Sequence, residues 1–330
     1  MTYGALRLVA PGLPLAWTSL PTPEPGPHEV LLEVSACGVC RTDLHIVDGE
    51  LPAAKSPVVP GHEIVGRVVA RGSAATRFAT GDRIGVPWLG GTCGHCSYCA
   101  TRRENLCDEP TFTGYHRDGG YAELALADER FCLALPARYD DLHAAPLLCA
   151  GLIGYRAYAM APQARRIGLY GFGAAAHLIA QVAVHDSREV FAFTRPGDSR
   201  SQDFARELGC AWSGDSDSAP PVPLDAALLF APVGALVPAA LAAVAKGGIV
   251  VCAGIHMSDI PSFAYRLLWG ERTVRSVANL TRGDGEDFMR IAERIALDAR
   301  PVSYPLARAN EALEDLRRGA FDGAAVLRVR

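Results

Sequence analysis

Residues 167–183 read IGLYGFGAAAHLIAQVA, and the order of these residues decides the class of fold. A short apolar strand, Ile167 to Tyr170, runs into Gly171-Phe-Gly173-Ala-Ala-Ala176 and then into an amphipathic stretch from His177 to Ala183. This is G-x-G-x-x-A in the setting that a dinucleotide site requires: strand, tight turn, helix. Gly171 permits the turn, Gly173 lets a pyrophosphate approach the backbone, and Ala176 replaces the third glycine where helix meets strand. The N–H groups at the helix start, from Ala174 onward, would hold the phosphates.

Reading outward, a second strand at residues 189–193 ends in Thr194-Arg195-Pro-Gly-Asp198-Ser199-Arg200. A site for NAD normally carries an acid at this strand end, to bind the ribose 2′-OH and repel a 2′-phosphate. Thr194 stands there instead, with Arg195 and Arg200 close by, so the chemistry predicts NADP(H) in preference to NAD(H); Asp198 competes but falls several residues late. The alternation continues with a strand at 225–230, a helix over 236–245 and a strand at 249–252. Strands alternating with helices imply a parallel sheet with right-handed crossovers. Ligands bind at the carboxyl ends of such strands, which places Ala231, Gly254 and Ile255 at the nicotinamide pocket.

The amino-terminal part, through about Leu142, is patterned differently. Short period-two runs such as 29–35 and 63–70, separated by Gly and Pro, predict a β-rich domain. Within it, residues 37–63 read CGVCRTDLHIVDGELPAAKSPVVPGHE and combine thiols, imidazoles, a hydroxyl and carboxylates. A catalytic zinc takes three protein ligands and leaves one position open; Cys40, His62 and the distant Cys149 would provide the three. Spacing alone leaves Cys37 and Cys40 as alternatives, since C-x-x-C is itself a metal or redox pattern. Thr42 and His45 would relay a proton to solvent, Asp43 would accept the free ring N–H of His62, and Glu63 would be an outer carboxylate or a transient ligand. Taken singly, Thr42, Asp43 and His45 also suit a polar turn or helix start.

Cys93, Cys96, Cys99 and Cys107 follow with C-x₂-C-x₂-C-x₇-C spacing. Four thiolates at that spacing fit a closed tetrahedral zinc with no catalytic position, with a disulfide pair or an iron–sulfur cluster as the other users of such a pattern. His95 inside the loop reads as a solvated side chain. Trp88 is either a wall of a substrate pocket or a core residue. From Asp140 the composition turns to helix formers, apolar on nearly all sides through residue 161, as expected of a buried helix.

With 330 residues the chain has room for two cores, and 33 Gly with 23 Pro suit an α/β protein rich in turns. A hydrophobic content of 49% and a charged content of 21% are near globular averages. No apolar run is long enough for a bilayer, the first residues lack the pattern of a secretion signal, and the expected location is cytoplasmic. A net charge of −4 gives no reason to expect nucleic acid or a membrane as partner. Ten cysteines in such a chain point to metal or chemistry before disulfides.

Gly38-Val39-Cys40-Arg41-Thr42-Asp43-Leu44-His45, Gly61-His62-Glu63 and the later Cys149 together resemble the zinc-dependent alcohol dehydrogenases of the medium-chain dehydrogenase/reductase superfamily. The resemblance runs over essentially the whole chain. It implies a chaperonin-10-like barrel for residues 1–149 and 283–330 and a Rossmann domain for 150–282. It also implies Cys40, not Cys37, as the first ligand, one catalytic and one structural zinc, and cofactor contacts at Arg41 and Asn279. A homodimer or homotetramer acting on small alcohols, aldehydes or ketones is expected. Ile153 departs from the pattern, because many members have Thr facing the nicotinamide there. The rivals are a polyol, amino-alcohol or aromatic-aldehyde specialist and a silent dinucleotide-binding protein that kept the fold.

Overall fold

The computed structural model describes residues 1–330, which pack as two units, Met1–Cys149 with Asn279–Arg330, and Ala150–Ala278. In the second unit six strands form one parallel sheet. In spatial order they are Trp212–Asp215, Glu189–Thr194, Arg166–Tyr170, Leu224–Leu229, Val244–Cys252 and Thr273–Ser276. This 3-2-1-4-5-6 order is the doubly wound nucleotide-binding arrangement. Its first strand and the helix Ala174–His185 are joined by the G-x-G-x-x-A turn.

The helix Leu236–Ala243 ends two residues before the expected 245, and the following strand begins at Val244 rather than at 249. The cause is pairing: Val244 already sits opposite Leu224, and an irregularity in the register absorbs the intervening residues.

The first unit is built on a curled sheet of mixed polarity. Its central strand Glu29–Val39 pairs with Ile64–Arg71, Leu124–Asp128 and Ala324–Arg328. Val30, Leu32 and Val34 of that strand are all fully buried, as the period-two pattern requires, and after a register irregularity the core face continues with Cys37 and Val39. The stretch of helix formers from 140 to 161 folds as Asp141–Ala144, a 3₁₀ turn Ala145–Leu148 and Ala150–Ala159. Pro146 has no N–H to continue the first piece, and Cys149 falls at the break with φ −132° and ψ −67°. No helix is long and apolar enough to cross a membrane.

The helix Arg282–Arg294 is fastened at its start by Glu104, whose Oε1 accepts hydrogen bonds from the Arg282 backbone N (3.0 Å) and Nε (3.1 Å). Burial pushes the Glu104 carboxyl up, but the hydrogen bonds from its own backbone and from Arg282 prevail and hold it below the usual carboxylate range. A lowered carboxylate contributes stability above its unfolded pKa, and that stability is lost as pH falls through the folded value. Glu104→Gln is therefore expected to cost about 1 kcal/mol near neutral pH, because Arg282 is partly in solvent. In denaturant melts the gap to the unchanged protein should close below about pH 4; a gap that persists in acid would mean the loss is one of packing.

Candidate metal and nucleotide sites

Three elements of the first unit meet around Cys40. It is the N-cap of the helix Arg41–Val47, and its sulfur accepts from the Thr42 backbone N at 3.3 Å. His62 comes from the loop before the strand Ile64–Arg71, and Cys149 from the break after Pro146. Cys40 Sγ lies 3.1 Å from His62 Nε2 and 3.9 Å from Cys149 Sγ. Donor atoms of Cys40, His62, Glu63 and Cys149 all lie within 4.8 Å of one another. Sulfurs 3.9 Å apart are far beyond a disulfide's length of about 2.05 Å. They stand near the roughly 3.8 Å that two thiolates span across a tetrahedral zinc with bonds of about 2.3 Å.

Cys37, the alternative by spacing, lies outside this group. It is fully buried in the central strand, its thiol turned to the Gly38 carbonyl, and burial raises its pKa.

Behind the ligands, Asp43 is completely buried and uses both oxygens. Oδ2 accepts from the Cys40 backbone N at 2.9 Å, while Oδ1 accepts from Gly61 N at 3.2 Å and lies 3.3 Å from His62 Nδ1. One carboxylate thus ties the two ligand-bearing loops together. The loop carrying His62 is also braced from residues 119–121, whose N–H groups bond to the carbonyls of Val59, Gly61 and Pro60. Only glycine fits at 119, since a Cβ there would stand 2.0 Å from the Gly61 oxygen.

The electrostatics suit a cation. The hydrogen bond from Cys149 lowers the Cys40 thiol well below its ordinary value, and the same bond, with burial, raises Cys149. Burial alone would lower His62, but the thiolate of Cys40 and the carboxylate of Asp43 raise it. Burial, then the nearby Cys40, raises Glu63. Charge of one sign confined in a buried pocket is what a divalent ion would relieve, with release of protons.

His45, four-fifths of a turn beyond Thr42 on the same helix, places Nδ1 against the carboxylate of Glu50. Thr42 is buried, His45 largely so, and Glu50 stands in solvent. The reading of the sequence did not single out Glu50, because it follows the helix by a tight turn and no periodic pattern ties it to His45. Trp88 lies edge-on to the His62 ring at 5.0 Å and stacks on Phe112 (4.8 Å) and Tyr115 (5.8 Å), so an aromatic wall stands beside the ligand.

Cys93, Cys96, Cys99 and Cys107 form a second cluster on the surface lobe. Sulfur separations of 3.9 Å for Cys93–Cys99 and 3.5 Å for Cys93–Cys107 exclude disulfides. Backbone N–H groups of Cys96, Cys99, Cys93 and Glu109 point at the sulfurs from 3.4 to 3.5 Å. The amides of His95 and Cys96 bring the Cys93 thiol down to about 6. His95 is exposed. Donor atoms of His95 and Glu109 also come within 4.8 Å of the Cys93 sulfur, but the four sulfurs by themselves make the set that a closed zinc takes.

In the second unit, Gly171 has φ +87°, and a Cβ there would meet Ala231 at 2.8 Å, so the turn needs glycine. At Gly173, the N-cap of the helix that Ala174 opens, a Cβ would meet nothing, which is the room a pyrophosphate needs. Ala231, Gly254 and Ile255 follow the carboxyl ends of two strands, and Gly254 N bonds to the Leu229 carbonyl. Thr194 is buried, with its hydroxyl 3.2 Å from the Arg195 carbonyl and accepting from Gln202 Nε2 at 3.1 Å. The hydroxyl is thus spent inside the fold, and any contact of Thr194 with a ribose would come from its backbone. Arg195 and Arg200 are exposed. Of the two remaining residues, both in the first unit, Arg41 is exposed, and Asn279 has φ +58° and a buried Nδ2 with no hydrogen-bond partner. Ile153 is half-buried in the helix Ala150–Ala159.

Residues 26–137 match the alcohol dehydrogenase GroES-like domain family. Over 322 residues the chain is 47% identical to the probable alcohol dehydrogenase AdhA of Mycobacterium tuberculosis, covering 95% of this chain and 92% of that protein. Among solved structures it is similar to the cobalt- and zinc-bound thermostable alcohol dehydrogenase of Pyrobaculum aerophilum, with 27% identity, TM-score 0.89 and coverage of 99% and 100%. It is similar also to the acetophenone reductase of Geotrichum candidum in complex with NAD, with 26% identity, TM-score 0.88 and coverage of 99% and 97%.

Proposed function

The chain belongs to the zinc-dependent alcohol dehydrogenases of the medium-chain dehydrogenase/reductase superfamily, and from that footing we propose a division of labour among its own residues. Cys40, His62 and Cys149 hold the catalytic zinc, with Asp43 fixing them and Glu63 as outer carboxylate; Cys93, Cys96, Cys99 and Cys107 hold a structural one. The observation that carries this is the convergence of three separate elements on donor atoms within 4.8 Å, with Asp43 bridging two of them. Zinc bound there supplies a Lewis acid for the substrate oxygen, and the nicotinamide accepts or gives the hydride. Thr42 takes the alcohol proton and His45 passes it on, with the solvent-facing Glu50 as its exit.

The substrate is a primary or secondary alcohol, or the matching aldehyde or ketone, with NADP(H) as the favoured cofactor. The stacked rings of Trp88, Phe112 and Tyr115 beside His62 favour flat aromatic aldehydes over polyols, which need hydrogen-bonding walls. Exposed Ile255, Ile260, Tyr265 and Trp269 give a homodimer or homotetramer its contact.

Zinc analysis together with NADPH oxidation over a panel of aromatic, aliphatic and polyol-derived carbonyls tests the whole reading. A zinc-loaded protein that binds cofactor and reduces none of them would be the silent member of the fold. For the relay, His45→Ala is expected to lower kcat about 10²-fold, the low end of what a positioned acid–base group supplies, with partial recovery in concentrated imidazole buffer. An unchanged kcat would remove His45 from the proton path.

A further inference from the structure

The Rossmann unit has a feature that its nucleotide crevice does not use. From the strand Trp212–Asp215 to the strand Leu224–Leu229 the chain crosses by residues 216–223 alone, and Pro220, Pro221 and Pro223 keep that stretch from forming a helix. The crossing therefore adds no helix of its own over the sheet, whose face here is covered by the helix Leu236–Ala243. A row of rings lies there: Tyr170 stacks on Phe193 at 4.0 Å, and Phe193 meets Trp212 at 5.0 Å.

A cavity of about 600 Å³ opens in this place. The prolines of the crossing and the small residues Ala239, Ala242 and Ala243 give it apolar walls, and Tyr170 reaches it from the sheet. Two cations, Lys246 and Arg272, and a single acid, Asp217, complete the lining. Arg272 is held by carbonyls, Nε on Val244 (3.0 Å) and Nη1 on Trp269 (2.6 Å), so its charge is positioned without being neutralised. Residues 220–223, 244–246 and Arg272 lie at or before the amino ends of their strands, whereas the fingerprint turn at Gly171 follows a carboxyl end. The two cations of the cavity thus stand at the edge of the sheet opposite the fingerprint turn, while Tyr170, Ser216 and Asp217 carry its lining along the sheet face to the carboxyl ends.

We propose that this cavity is a second ligand site, for a small apolar monoanion such as an aromatic or aliphatic carboxylate or sulfonate, with Lys246 and Arg272 on the anionic end and the alanine and proline walls on the body. Apolar walls with a few placed charges are the usual composition of a small-molecule site, and the surplus of one positive charge selects the sign.

The test is calorimetric titration of the zinc-loaded enzyme with 8-anilinonaphthalene-1-sulfonate in saturating NADP⁺, which blocks the crevice. Binding should persist under NADP⁺, weaken on the order of tenfold in the exposed-site variant Lys246→Glu, and weaken also in Ala243→Phe, whose ring takes up part of the apolar wall. NADP⁺ affinity in both variants should match the unchanged enzyme, showing that the unit still folds. Complete displacement of the probe by NADP⁺, or equal probe affinity in all three proteins, would overturn the site.

Discussion

Cys149→Ala is expected to leave a folded protein that carries about one zinc per chain where the unchanged protein carries about two, and to lower turnover by on the order of 10³-fold or more. The size follows from the position of Cys149. It is one of only three protein donors apart from Glu63, it sits 3.9 Å from Cys40, and nothing else in the unit brings a second sulfur to His62. Removing it leaves Cys40 and His62 facing an unfilled corner, with the carboxylate of Glu63 a harder donor than the thiolate it would have to replace. The loss should not be one of folding, because Cys149 is a break between helical segments and anchors neither. Metal content by elemental analysis, circular dichroism and NADPH oxidation on one preparation decide it. If two zinc ions remain and turnover falls, Cys149 acts on the substrate and is not a ligand; if both are kept, the ligand set is wrong.

Much of this site was legible in the residues, and what was not has a physical reason. Cys40, Thr42, Asp43 and His45 fall on one turn and the next of a short helix, so their spacing alone groups them. Choosing Cys40 over Cys37 was beyond spacing: an irregularity in register between Val34 and Ala36 moves the core face of the strand from Val30, Leu32 and Val34 to Cys37 and Val39, and so turns the Cys37 thiol into the core. Glu50 was invisible for a similar reason, since its contact with His45 depends on a turn after the helix end and not on periodicity. Cys149 could be named only through the resemblance to the family, and its exit from helical geometry depends on Pro146, which the count of helix formers around it does not show. In the Rossmann unit the strands read well because parallel strands are buried on both faces. The short crossing at 216–223 shows instead how three prolines keep a crossing from forming a helix.

The protein is also expected to use NADPH with kcat/KM on the order of 10- to 100-fold above NADH, the range that one or two charge-assisted hydrogen bonds to a 2′-phosphate span. The carboxylates near this strand end are largely engaged within the fold. Asp198 caps the helix Ser199–Glu207, with Oδ1 accepting from Ser201 N at 3.0 Å and Oδ2 from Ser201 Oγ at 2.9 Å. Asp215, at the end of the neighbouring strand, accepts from Gly197 N at 3.1 Å and Gln202 Nε2 at 2.8 Å. Thr194, where an NAD site would carry its acid, is buried with its hydroxyl engaged. A ribose 2′-OH would find both oxygens of Asp198 and Oδ1 of Asp215 already accepting bonds, with Asp215 Oδ2 alone left to it, whereas a 2′-phosphate would find Arg195 exposed beside it. Arg195→Asp should then lower kcat/KM with NADPH at least about tenfold, mostly through KM, and leave NADH nearly unchanged or improved, because repulsion acts only on the phosphate. Equal losses with both cofactors would mean that Arg195 supports the fold of the turn; an unchanged protein that prefers NADH would show that Asp198 or Asp215 gives up its present bonds to the ribose when the cofactor arrives.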